Sequence, residues 1–86
     1  MIVFDPEKDR LNVLKHGISL ARAGELEVMG YSRQRRGSEP RSRLYGLLDG
    51  QWYCLIYTMR ANAVRAISLR RAHEDEVLRY VKKAHG

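Results

Sequence analysis

The stretch Ala63–Ala72 reads A-V-R-A-I-S-L-R-R-A, and its reading decides the fold. Val64, Ile67 and Leu69 favour a strand, and no Pro or Gly interrupts it. Successive side chains of a strand point to opposite faces. Arg65, Ile67 and Leu69 are therefore expected on one face, and Ala66, Ser68 and Arg70 on the other. The second face offers two small side chains and a guanidinium, a shallow floor that ends in a cation. Such a floor suits a flat or anionic ligand. It is equally what a solvent-facing sheet surface with Arg70 in water looks like.

Working outward, Met59–Asn62 reads as a turn and Trp52–Thr58 as the most apolar strand. Asp49-Gly50 is a hairpin signal that joins it to a strand over Arg43–Leu48. Three strands linked by short turns predict an antiparallel meander. Beyond the meander a helix is expected from about His73. Glu74, Asp75 and Glu76 in its first turn and Lys82 and Lys83 in its last complement the helix dipole.

Upstream, Ile2–Phe4 has the makings of a short strand. Asp5-Pro6 opens a helix with Asp as N-cap and Pro at the first helical position. Leu11, Leu14 and Ile18 are its expected buried side, and Gly17 ends it. Ser19 caps a second expected helix over Leu20–Met29, where Leu20, Ala23 and Leu26 recur at helical spacing. Gly30–Ser42, with two glycines, Pro40, three serines and four arginines, reads as a mobile loop. The expected fold is a small α+β domain over residues 1–86. It has two N-terminal helices, a three- to four-stranded antiparallel sheet and a C-terminal helix.

The net charge of +6 is unevenly spread. Residues 1–28 carry four basic against five acidic groups, residues 29–43 five against one, residues 44–72 four against one, and residues 73–86 three against three. The surplus therefore sits on the middle loop and the strands. A localised basic field captures a polyanion such as RNA or DNA, or an acidic protein. No apolar run approaches a membrane span, and the first residues lack the pattern of a signal peptide, so a cytoplasmic protein is expected. Cys54 is alone and lies in an apolar run, which makes a buried structural thiol its default role. The histidines His16, His73 and His85 are widely spaced, with no H-x-x-x-H or C-x-x-C. No built-in metal site or cofactor is expected. What remains is cationic and aromatic: arginines, with Trp52, Tyr45, Tyr53 and Tyr57 on or near the sheet. Rings of this kind stack on unpaired bases while arginines hold the phosphates between them. The same aromatics also serve as core.

Two motifs reach a family. The first is F-D-x-x-K-x-x-x-N-x-x-K-H-G-I-S, carried by Phe4, Asp5, Lys8, Asn12, Lys15, His16, Gly17, Ile18 and Ser19. The second is R-x-I-S-x-R-x-A-x-x-x-E-x-x-x-Y, carried by Arg65, Ile67, Ser68, Arg70, Ala72, Glu76 and Tyr80. Together they resemble the signature of BrnT-type toxins over nearly the whole chain. The resemblance implies a fold like that of the RelE ribonuclease toxins and a ribonuclease that blocks translation. It also implies a cognate ribbon-helix-helix antitoxin, with the pair binding operator DNA through that antitoxin. The sequence departs from the family pattern where the sheet begins. An E-x-R pair is usual there, and this chain has Arg41-Ser42-Arg43 with Glu39 displaced by two residues.

The expected chemistry is RNA cleavage without a metal, in which a 2′-hydroxyl attacks the adjacent phosphate. That reaction needs a proton acceptor, a proton donor and cations facing the transition state. Arg70 and Arg43 are the candidates for the phosphate clamp, and Tyr57 and His16 for proton transfer. His16 has a second reading, as a histidine that merely suits the C-terminal end of a helix. Lys8, Lys15, Arg65, Arg60, Arg35 and Arg36 are the candidate RNA contacts, with Arg65 alternatively holding the fold together. The competing function is a non-catalytic module that docks an antitoxin or binds nucleic acid.

Overall fold

β5 (Ala63–Arg71) lies between a parallel neighbour, β1 (Ile2–Val3), and an antiparallel one, β4 (Gln51–Arg60). Beyond β4 follow β3 (Glu39–Leu48) and β2 (Glu27–Arg36), giving a five-stranded mixed sheet in the order β1-β5-β4-β3-β2. The computed structural model describes residues 2–85, apart from the side chains of Arg36 and His85. Its helices are α1 (Pro6–His16), a 3-10 helix (Leu20–Glu25) and a C-terminal helix. The last is assembled from α2 (Glu74–Val77), a π-helical turn (Leu78–Lys82) and α3 (Lys83–His85).

This architecture corrects the expected one. The sheet has five strands rather than three or four, and it is mixed because β1 runs parallel to β5. The second helix expected over Leu20–Met29 does not form as an α-helix: a 3-10 helix spans Leu20–Glu25 and β2 begins at Glu27. Leu20, Ala23 and Leu26 stand three apart, which is the period of a 3-10 helix, where side chains at i and i+3 eclipse. Leu20 and Ala23 are buried on that helix, and Leu26 is its buried C-cap. The chain then extends, and the expected loop is the β2–β3 hairpin, turning at Gly37 with φ +62°. Arg33 and Arg35 are exposed on the edge strand β2, where charges discourage pairing with another chain. Pro40 is tolerated because the pairing of β3 with β4 begins only at Ser42, so its missing N–H breaks no bond to β4.

The alternation expected for Ala63–Ala72 also fails at one point. Ile56 pairs with Ser68 but Tyr57 pairs with Ala66, so Ile67 is an extra residue, a β-bulge. The bulge reverses the parity upstream of it. Ala66 therefore joins Leu69 in the core beneath α1 and the 3-10 helix, with Ile18, Leu20, Leu48 and Leu55. Arg70, opposite Cys54, stays on the other side of the sheet. There Tyr45, Cys54, Val77 and Val81 form a second core beneath the C-terminal helix, and Tyr45 stacks on Tyr80 at 5.0 Å. Gly30 lets that helix approach. A Cβ at this position would lie 2.5 Å from the Tyr80 carbonyl oxygen.

α1 is seated by a polar residue. Leu11 and Leu14, expected to face inward, are 47% and 73% exposed, and the buried residue of the helix is Asn12. Its Nδ2 donates to the carbonyls of Ile18 (2.9 Å) and Leu69 (2.8 Å), and its Oδ1 accepts from the Leu69 N–H (3.1 Å). The two-residue β1 leaves this part of the β5 edge unpaired, and the amide of Asn12 replaces a missing strand.

Candidate active site

The end of β5 and the start of the C-terminal helix converge on one carboxylate. Glu76 is the third residue of α2, and it accepts from the His73 backbone N–H at 2.9 Å, as in a capping box. The same carboxylate takes two bonds from Arg70 (Nη1 at 2.8 Å, Nη2 at 2.9 Å) and one from Arg43 Nη1 at 3.3 Å. The side chains of Arg70 and Glu76 are only 15% and 10% exposed. Arg70 holds the Glu76 carboxyl well below its ordinary value, at about 2, with the His73 backbone N–H assisting against the opposing effect of burial. The Cys54 thiol is fully buried and pushed up to about 11 by burial, which makes it inert.

Across the β5 edge, α1 presents a different set of side chains. Phe4, Asp5, Asn12, Gly17, Ile18 and Ser19 are structural. Phe4 and Ile18 belong to the core, Asp5 and Ser19 cap helices, Asn12 holds Leu69, and Gly17 ends α1 at φ +71°. Lys8, Lys15 and His16 are exposed and make no ion pair or hydrogen bond among the described residues. Lys15 and His16 line two clefts, and Lys8 lines the first of them. The first, of about 230 Å³, is completed by Ile67 and Ser68. The second, of about 370 Å³, is completed by Arg70, Arg71, Ala72 and His73. Two histidines, a lysine and two arginines thus line one open space, with the arginines anchored to Glu76 and to the Trp52 carbonyl. Desolvation lowers the proton affinity of His16 below the ordinary 6.5, and the cations Arg70 and Lys15 lower it further. At neutral pH its imidazole is uncharged and able to accept a proton. Among the described residues no three His, Cys, Asp or Glu side chains gather as metal ligands, and no helix is long and apolar enough to cross a membrane.

The profile of a family described as "Ribonuclease toxin, BrnT, of type II toxin-antitoxin system" matches residues 4–76. The chain belongs to the BrnT family. Among solved structures, the crystal structure of the Brucella abortus ribonuclease toxin BrnT is similar, with a TM-score of 0.65 and 24% identity. The match covers 85% of this chain and 96% of that one, a likeness of fold. A search of curated proteins gives no match.

Within this BrnT chain, the predicted site residues separate into groups. Arg70 and Arg43 meet on Glu76, and His16 shares a cleft with Arg70 and Lys15. Tyr57 is half-buried and packs against the core on the α1 side, lining none of these clefts. Arg65 is half-buried where β5 pairs with β1, and Arg60 is exposed at the end of β4. Arg35 lines a separate basic cleft of about 240 Å³ with Gln34, Arg41, Arg43 and Ile56. Arg36 has its backbone in β2, and its side chain lies outside the described residues. Sequence reasoning gave no site role to two residues that the fold brings in, His73 and Glu76. His73 is far from the α1 motif along the chain, and no local pattern marks it as a cleft partner of His16. Glu76 carried a legible signal, since an acidic third residue of a helix commonly reaches back to the N-cap N–H.

Proposed function

We propose that this chain is the ribonuclease of a type II toxin–antitoxin pair, that it cleaves RNA without a metal, and that it blocks translation by doing so. A ribbon-helix-helix antitoxin neutralises it, and the pair binds operator DNA through that antitoxin. The observation that carries the reading is the cleft shared by Lys15, His16, Arg70 and His73. Neutral His16 takes the proton from a 2′-hydroxyl, whose oxygen attacks the adjacent phosphorus. The bond from phosphorus to the 5′-oxygen breaks, and His73 supplies the proton to the departing oxygen. The products are a 2′,3′-cyclic phosphate and a 5′-hydroxyl. Lys15 and the edge of Arg70 not engaged by Glu76 face the charge that builds on the phosphate. Lys8, lining the adjoining cleft, extends the cationic track for the RNA.

The test is single-stranded RNA incubated with purified, antitoxin-free protein and a chelator. Wild type is expected to leave cyclic phosphate ends. His16→Gln is expected to slow cleavage by about a hundredfold or more, the usual weight of a general base. Intact RNA with wild type, or equal cleavage by His16→Gln, overturns the mechanism.

One observation favours a second reading, a non-catalytic module that docks the antitoxin. Arg70 and Arg43, the expected phosphate clamp, are both held by Glu76. Induced expression separates the two readings, since a ribonuclease toxin arrests growth and a docking module does not.

A further inference from the structure

The cleft of His16 and Arg70 does not end at His73. Arg71 and Ala72 also line a neighbouring cleft of about 290 Å³, closed by Trp52, Glu74, Val77, Leu78 and Lys82. Its composition differs from everything around it. Trp52, Val77, Leu78 and Ala72 supply an indole, two aliphatic side chains and a methyl, and Arg71, Glu74 and Lys82 supply charge. Leu78 is 50% exposed although it is a large apolar residue next to a core. The size is at the lower end of small-ligand sites, enough for one flat ring.

Arg71 stands between the two spaces. Its Nε donates to the Trp52 carbonyl at 3.2 Å, its Nη1 donates to Gln51, and its guanidinium carbon lies 5.7 Å from the centre of the Tyr53 ring. The side chain is thereby fixed, while Nη2 has no partner among the described residues. A cation held beside an indole-lined cleft is suited to a nucleotide: phosphate on the guanidinium, base against the apolar side chains.

Resting on the ribonuclease reading above, we propose that the cleft of Trp52, Leu78 and Ala72 is a nucleobase subsite. It takes the base of a nucleotide next to the scissile phosphate, with Arg71 on the linking phosphate. Trp52, Leu78 and Arg71 are then residues that set where along an RNA the cut falls. Glu74, also lining the cleft, is an acceptor for N–H groups on the base edge.

Trp52 is the single tryptophan of the chain, so its fluorescence reports this cleft without any need for cleavage. The experiment titrates the intact protein with adenosine 5′-monophosphate and, separately, with ribose 5-phosphate, which has the same phosphate and no base. The nucleotide is expected to quench Trp52 saturably, and ribose 5-phosphate is expected not to. Leu78→Arg places a longer side chain in the cleft and adds a positive charge, which by itself would strengthen phosphate binding. It is expected to weaken the nucleotide by about tenfold or more, the usual contribution of base stacking. Leu78→Ala, with its circular dichroism matched to wild type, gives a smaller loss and guards against misfolding. Equal responses to both ligands, or undiminished quenching in a folded Leu78→Arg protein, overturn the subsite. Quenching with no RNA cleavage leaves a nucleotide site but defeats the ribonuclease reading and with it the placing of a cut, whereas cleavage without base-dependent quenching overturns the subsite and leaves that reading standing.

Discussion

At the scale of single residues, Glu76 is the most informative side chain. Its place in a motif and its reach to the N-cap N–H were readable, but its ion pairs were not, because Arg43 comes from β3 and Arg70 from β5. Sequence shows Arg70 six positions away and cannot show that Arg43 arrives at the same carboxylate, on Oε2. The consequence is a stability that depends on acid. The Glu76 carboxyl sits near 2 in the folded chain against an ordinary 4.5, so the folded state binds its proton less readily than the unfolded state does. Its contribution is complete above about pH 4.5 and is lost as the pH falls through about 2. A difference of this size corresponds to about 3 kcal/mol. Glu76→Gln is expected to destabilise the protein by about 2–3 kcal/mol at pH 7, since two partly buried arginines lose their counter-charge. It is also expected to flatten the pH dependence between about 4.5 and 2. Urea midpoints across that range check both, and a variant whose loss of stability with acid matches wild type would remove Glu76 from the account.

At the scale of elements, what was legible followed local chemistry. Asp5-Pro6 begins α1, Gly17 ends it, Asp49-Gly50 makes the β3–β4 turn with both residues at positive φ, and His73 precedes the C-terminal helix. What was missed was set by partners distant in sequence. A three-residue repeat at 20–26 served a 3-10 helix instead of an α-helix, and a polar, glycine-containing run became an edge hairpin because β3 was there to pair with it. The bulge at Ile67 has no signature of its own, yet it decides which side of the sheet Ala66 occupies. Asn12 is the clearest case: a polar residue on α1 is the helix's hold on the sheet. Asn12→Ala is expected to cost about 3 kcal/mol, because the Leu69 N–H and carbonyl are both left buried without partners. Asn12→Asp keeps the acceptor for the Leu69 N–H and loses the donor, and a still larger loss at neutral pH is expected from placing a carboxylate against two carbonyls. Chemical denaturation of the two variants orders them, and an Asn12→Ala protein as stable as wild type would show that the clasp contributes nothing.

At the scale of the whole molecule, charge and site are partly separated. The candidate cleft lies at the α1–β5 edge, whereas much of the surplus charge lies on the β2–β3 hairpin at the opposite edge of the sheet. The uneven distribution was visible in the sequence, but its placement required the hairpin, which the sequence disguised as a loop. Arg33 and Arg35 are exposed on β2 and make no ion pair among the described residues. If the chain acts on RNA, these two arginines extend its electrostatic footprint without touching the bond that breaks. Replacing both with serine should therefore weaken binding of a long single-stranded RNA while leaving cleavage of a dinucleotide unchanged. Each phosphate left without its arginine reduces the steepness of log affinity against log salt by about 0.7 for single strands. For two such phosphates the slope should be shallower by about 1.4, with the affinity of the double variant approaching that of wild type as salt is raised. An unchanged slope would mean that the hairpin does not carry RNA. Its basic edge would then be available to an acidic partner, and the same double variant would instead show slower capture by the antitoxin at low salt.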